Sequence, residues 1–251
     1  MIDVVRAGPV ARIFLNRPEK ANALDSEVLQ KLAAAIDALS DDETLRVLVL
    51  GGRGKTFCGG ADVNEMSKLE ASNAGAFVEK IHFACRAIRR LPVPVVARLH
   101  GAVIGAGLEI AAACDLRICA EGTKFAMPEV RLGIPSVVEA ALLPRLVGAG
   151  RARWLVLTGE TIGAQEALAW GLVEKVASPE HLDSRVNGAL DAILAGGAEA
   201  IRAQKRLCKL WEEAPLEASV RASVEELARS YESDEPRRRV DAFRRARRKP
   251  R

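Results

Sequence analysis

The stretch that most constrains this chain is Val93–Asp115, VPVVARLHGAVIGAGLEIAAACD. Its apolar, β-branched start, Val93–Leu99, reads as a buried strand. Gly101, Gly105 and Gly107 follow, and then Leu108–Ala113, rich in alanine and suited to a helix. A strand therefore runs through a glycine-rich turn into a helix. The first N–H groups of such a helix lack intrahelical partners, and the helix dipole adds partial positive charge there. That is a seat for an anion, or for an oxygen becoming one. Glu109 stands two residues past the last glycine in an otherwise apolar turn, where a carboxylate is costly to bury. The pattern reads as half of an active site, main-chain donors beside an acid or base.

The same order recurs upstream. Val47–Leu50 is a short apolar strand, GGRGKTFCGGAD fills positions 51–62, and a helical stretch is expected near Val63–Leu69. Residues 2–16 alternate around Gly8-Pro9 and predict a hairpin. Asp25 can cap a helix over Ser26–Leu39, with Val28, Leu29, Leu32, Ile36 and Leu39 on one face. A helix over Gly75–Arg90 stops at Pro92 and Pro94. Beyond the central stretch come a strand at Leu116–Ala120, an extended segment at 125–129, a helix from Ser136 broken at Gly148–Gly150, helices at Arg151–Leu157 and Ala164–Trp170, and a strand at Val173–Val176. From Leu182 the pattern is helical only, over about 182–195, 198–213, 215–232 and 237–247. The fold class is α/β to about residue 180, followed by an all-helical end.

Two nucleotide motifs fail. Gly54-Lys55-Thr56 resembles the end of a P-loop, but position 49 is Val where that loop needs glycine. The third glycine of a dinucleotide fingerprint would fall on Ile110. Five cysteines (Cys58, Cys85, Cys114, Cys119, Cys208) form no CxxC pair, and with three histidines no metal site is expected. Reduced thiols in a cytoplasmic setting are the expectation. No apolar run is long enough to span a bilayer, and no signal-peptide core opens the chain. Residues 237–251 hold nine bases and one acid, so the rest of this +4 chain is mildly acidic.

The segments TFCGGADVNEM (56–66), HGAVIGAGLEIAAACDLRIC (100–119) and FAMPEVRLGIP (125–135) resemble the crotonase superfamily, the enoyl-CoA hydratases and isomerases. LNRPEKANALD (15–25) and TGETIGAQEALAWGLVEKV (158–176) extend the likeness over nearly the whole chain. The resemblance implies a crotonase-like spiral of ββα turns over residues 1–181 and a helical oligomerisation region over 182–251 that builds a homotrimer, usually paired into a hexamer. It implies an acyl-CoA thioester as ligand, with no cofactor besides the coenzyme A of the substrate. By motif position the N–H groups of Ala61 and Ala106 polarise the thioester carbonyl, and Glu109 and Glu129 are the catalytic acids. Lys20, Ala21, Ala23, Gly59, Gly60, Asp62, Val63, Asn64, Gly105, Pro128, Ser136 and Glu139 fall around the substrate. Phe243, Arg248 and Lys249 are candidates for the CoA phosphates.

The chemistry fits that set. An enolate's charge rests on the carbonyl oxygen, and one preorganised N–H donor is typically worth roughly 3 kcal/mol. Adding water to Cα=Cβ needs one group to take a proton from water and one to give a proton to Cα. Two carboxyls in one apolar pocket split these jobs because burial and repulsion push one pKa up. The division expected is Glu129 on the water, or β, side and Glu109 in support on the same water. Asp62 is expected to brace the loop, while Cys58 and His100 read as packed residues.

Two departures from the family pattern bear on acyl specificity: Ala106 replaces a usual glycine, and a Gly-rich run gives way to Ser136-Val137-Val138-Glu139. This tetrad matches a helix-capping box; the alternative makes Glu139 a third acid in or near the pocket. The leading activity is hydration of a 2-enoyl-CoA. The alternatives are an enoyl- or dienoyl-CoA isomerase and a catalytically silent scaffold or RNA binder. Nucleic acid is disfavoured because Phe243 is the sole aromatic in the basic run.

Overall fold

The computed structural model describes residues 1–248. Its strands are β1 (Ile2–Ala7), β2 (Val10–Leu15), β3 (Val47–Gly52), β4 (Val95–Leu99), β5 (Ala102–Ile104), β6 (Leu116–Ala120), β7 (Lys124–Ala126), β8 (Ile162–Gly163) and β9 (Lys175–Ala177). The helices of the first part are α1 (Ser26–Asp37), α2 (Val63–Met66), α3 (Ala74–Arg90), α4 (Ala106–Ala113), α5 (Leu143–Val147), α6 (Ala149–Thr158) and α7 (Ala164–Trp170). The last part holds α8 (Leu182–Ala195), α9 (Ala198–Glu213), α10 (Leu216–Ser230) and α11 (Glu235–Arg248).

A six-stranded sheet runs β1-β2-β3-β4-β6-β9, and a three-stranded sheet runs β5-β7-β8. The first pair is the expected hairpin, turned by Gly8 at φ 55°. From β2 to β9 the large sheet is parallel, and both of its faces are covered, as a parallel sheet requires. Every residue of β3 is buried. Strand alternation sends Leu48 and Leu50 into the main core and Val47 and Val49 into a second core. There they meet Leu182, Val186 and Leu190 of α8. The main core takes Val28, Leu29, Leu32 and Ile36 of α1 and Phe77, Ile81, Cys85 and Ile88 of α3. Asp25 caps α1 as expected, its Oδ1 accepting the Val28 N–H at 2.8 Å.

Several local expectations are corrected. The helix after Asp62 ends at Met66. Pro128 has ψ 9°, so Glu129–Leu132 form a 3-10 turn rather than the tail of an extended segment. The last strand of the first part is displaced to Lys175–Ala177. Strand β5 lies in the stretch read as a glycine-rich turn and β8 just ahead of the helix expected at Ala164–Trp170, and both exist because they pair with β7. No described helix is long and apolar enough to cross a membrane.

Helix α9 is tied to the body by Lys205, whose buried Nζ donates to Ile88 O, Val93 O and Asp115 Oδ2 at 3.3, 2.9 and 2.8 Å. These bonds close the C-terminal end of α3 onto the start of β4. Lys205→Met removes all three and leaves carbonyls without donors, at a cost of about 3 kcal/mol. Urea unfolding of the variant, compared with the parent, measures that loss.

Candidate active site

The site is built where two loops meet the first turn of α4. Loop 57–61 lies alongside residues 100–104: Phe57 N–H donates to His100 O, Cys58 N–H to Ala102 O, and Ile104 N–H to Cys58 O, at 2.8, 3.0 and 3.1 Å. Gly107 makes this approach possible, since a Cβ there would sit 2.7 Å from Cys58 Cβ. On its other side the loop is held by segment 21–24. Gly59 N–H donates to Ala21 O, Leu24 N–H to Gly60 O, and Asp62 N–H to Leu24 O. Gly105, at φ 53°, precedes α4 without a side-chain cap. Among the described residues, neither the Ala61 nor the Ala106 N–H donates to a protein acceptor. The structure thus brings two free N–H groups onto adjacent segments, one of them at a helix N-terminus.

Three carboxyls gather around this turn. Glu109 is 4% exposed on the first turn of α4, and its Oε1 accepts the Ala140 N–H at 3.1 Å. Burial pushes its carboxyl up to about 8; the Ala140 N–H opposes the rise, and the charges of Glu129 and Glu139 add to it. Glu129 is half-buried, and its Oε2 accepts from Ser136 Oγ at 2.8 Å. Its Oε1 lies 2.5 Å from where a Cβ on Gly105 would stand, so this carboxylate covers the start of α4 only because Gly105 has no side chain. Glu139 is 7% exposed. Its Oε1 meets His82 Nδ1 at 2.9 Å, and its Oε2 is buried with no partner among the described residues.

The capping box allowed by the sequence is not formed. The 3-10 turn Val138–Leu142 begins without a side-chain cap; Ser136 serves Glu129, and Glu139 turns toward α3. Val138 takes φ 39°, a region that a β-branched residue enters at a cost of order 1–3 kcal/mol. The cost is borne where the chain bends to carry Glu139 inward.

Asp62 braces its loop as expected. It accepts the Asn64 N–H at 2.9 Å and meets Arg17 Nη2 at 3.2 Å. Burial works against its charge, but Asn64, Arg17 and Lys20 outweigh that and hold its carboxyl below the usual range. Cys58 packs against Gly107, and burial pushes its thiol up to about 12. His100 donates its Nε2–H to Gly54 O, 3.0 Å away, and holds that turn. Lys20 and Ala21, with Gly59, Val63 and Asn64, are exposed beside the loop, and Ala23 is half-buried there. Gly60, at φ 103°, is buried in the loop, and Pro128 is half-buried just ahead of Glu129.

Phe243 is not brought to the acids within one chain. Helix α11 is anchored on the turn between α8 and α9, where Arg239 donates to Ala195 O and Gly196 O at 2.8 and 2.7 Å. Arg46, just ahead of β3, also donates to Gly196 O, so the anchor sits at the opposite end of β3 from loop 57–61. Phe243 is 61% exposed there. Lys249 lies outside the described residues.

Two residues were not singled out from the sequence. Asn22, 1% exposed, accepts the Arg17 N–H and donates to Arg53 O and Thr56 O, joining the 17–23 turn to the 53–56 turn. Its φ of 55° suits asparagine. His82 borders the apolar stripe of α3, and only the fold shows that it faces Glu139.

Because its charged form is disfavoured in the folded chain, Glu109 contributes stability that is present at acid pH and lost as pH rises from about 4.5 toward 8. Glu109→Gln should therefore melt above the parent at pH 8–9, with the gap closing toward pH 5 by about 1.4 kcal/mol per pH unit. Thermal melts across that range measure it.

The family model described as enoyl-CoA hydratase/isomerase matches residues 6–250. The crotonyl-CoA hydratase of Syntrophomonas wolfei is 39% identical over 201 residues, covering 78% of this chain and 76% of that protein. The trans-2-decenoyl-[acyl-carrier-protein] isomerase of Streptococcus mutans is 34% identical over 208 residues, 81% of this chain and 78% of that protein. A crystal structure of enoyl-CoA hydratase from Mycobacterium smegmatis superposes with a TM-score of 0.95 at 30% identity, covering 98% of this chain and 96% of that one. With the fold, the glycine-rich turns and the family model in accord over almost its full length, the chain belongs to the enoyl-CoA hydratase/isomerase family.

Proposed function

We propose that this protein is an enoyl-CoA hydratase, adding water reversibly across the double bond of a 2-enoyl-CoA. The observation that carries the reading is the pairing of unclaimed Ala61 and Ala106 N–H groups with Glu109 and Glu129 around one helix turn. The two amides take the thioester oxygen as it gains charge. One carboxylate accepts a proton from water, whose oxygen bonds to Cβ. The other carboxyl gives its proton to Cα, and the enolate electrons form that new C–H bond. The raised carboxyl of Glu109 supports a pair in which one member is neutral while the other is charged. Coenzyme A arrives with the substrate, so no further cofactor is called for.

A second reading, double-bond isomerisation through the same enolate, draws support from the decenoyl isomerase among the relatives and from a third acid beside the pair. Self-association as a trimer or a pair of trimers is supported by the exposed apolar side chains of Trp211, Leu216, Val220, Val224 and Leu227 on α9 and α10. A cytoplasmic setting is supported by five unpaired cysteines, four of them buried.

Turnover of crotonyl-CoA in H₂¹⁸O separates the chemistries. Hydration places the label in 3-hydroxybutyryl-CoA, and recovery of an unlabelled, shifted enoyl product from longer 2-enoyl-CoAs in its place overturns the hydratase reading. Glu109→Gln and Glu129→Gln should each lower kcat by about 100-fold or more with a smaller change in KM, as removal of an acid–base group does.

A further inference from the structure

Both acids of the proposed chemistry are held by one short stretch, residues 136–140. Ser136 Oγ donates to Glu129 Oε2 at 2.8 Å, and the Ala140 N–H donates to Glu109 Oε1 at 3.1 Å. The second bond is contested, because the same N–H also reaches Val137 O at 3.0 Å. An N–H shared in this way passes wholly to the local acceptor if the turn tightens. Glu109 then loses the one donor it has among the described residues.

The residue in front of Ala140 is Glu139, and it is the only polar side chain in the stretch 137–142. Val138, Ala140 and Leu142 pack on the main core, but apolar packing has no direction. The direction of the Ala140 N–H is therefore left to the bonds of Glu139. Its Oε1 meets His82 Nδ1 at 2.9 Å. The thiol of Cys85, one turn further along α3, supports the same carboxyl as a weak donor, kept protonated first of all by burial. Both partners stand on α3, whereas Glu109 stands on α4, and the 138–142 turn packs against both helices. Val138, at φ 39°, holds a conformation that persists only where the surroundings fix it, and the tie to α3 is the directional contact beside it. We propose that His82 and Glu139 are positioning residues for hydration: by tying the 138–142 turn to α3 they aim the Ala140 N–H at Glu109 and hold that acid for proton transfer. Neither side chain touches the substrate. The assignment rests on the acyl-CoA hydratase reading.

Hydration of crotonyl-CoA by His82→Ala tests this, since the His82 side chain is 44% exposed and its loss leaves no buried void. Its kcat should fall about 10-fold while KM stays within about twofold. His82→Asn, which can present an amide N–H where Nδ1 stood, should recover most of kcat. In a Glu109→Gln background, His82→Ala should cost no more than about twofold further, because the acid it positions is gone. Glu139→Ala cuts the same tie from the other end and should repeat the loss and the coupling; it carries the cycle should His82→Ala not fold. A lowered melting temperature with kcat unchanged makes the pair structural only and overturns the proposal. Equal losses in the parent and Glu109→Gln backgrounds overturn it too, as does a His82→Asn variant no better than His82→Ala. Where Glu109→Gln is impaired and the His82 and Glu139 variants are not, the positioning role fails and the hydratase reading stands. A parent that hydrates no enoyl-CoA sinks both.

Discussion

The seating of loop 57–61 against the first turn of α4 is the contact from which the rest of the site follows. Backbone hydrogen bonds to residues 100–104 set its direction, and Gly107 lets Cys58 come within a distance that no side chain would permit. Because these bonds are main-chain to main-chain, the positions of Ala61 and Ala106 depend little on side-chain identity. That explains how a methyl at position 106 is compatible with a donor role: the N–H is kept, and the change falls on pocket shape. Asp62 and Arg17 brace the loop from behind, and Asn22 joins the two turns beneath it. The charged and polar residues near the loop are thus mostly occupied in holding it still, which a preorganised donor site requires.

The second organising fact is electrostatic. Three carboxyls share one largely apolar turn, and each is steadied by a different donor: a main-chain N–H for Glu109, a hydroxyl for Glu129 and an imidazole for Glu139. Like charges in such a space cannot all be ionised without cost. Glu109, more buried than Glu129, takes the upward shift.

The helical end has a different character. Lys205 and the α8 contacts join it to the sheet, yet the α9–α10 hairpin leaves a row of apolar side chains uncovered. The basic α11 is fixed at the α8–α9 turn, away from the acids of its own chain. Within one chain the acids of the first part and the uncovered apolar row of α9 and α10 are thus separate features.

What the sequence determined by itself was everything that local periodicity and residue chemistry carry. The capped, one-faced α1, the buried β3 and β4, the glycines that bracket α4, and the acids at 109 and 129 were all legible. In each case neighbours within a turn or a strand set the outcome. Only the tertiary structure decided what distant segments impose on one another. Strands β5 and β8 are two or three residues long and exist through pairing with β7, which no local signal announces. Ser136 and Glu139 have the spacing of a helix cap. The fold draws one to Glu129 and the other to His82, partners that only distant segments bring within reach. His82 and Asn22 have no distinctive setting until residues more than thirty positions away are brought against them. Phe243 carries the right chemistry for a ligand contact, but Arg239 anchors its helix elsewhere.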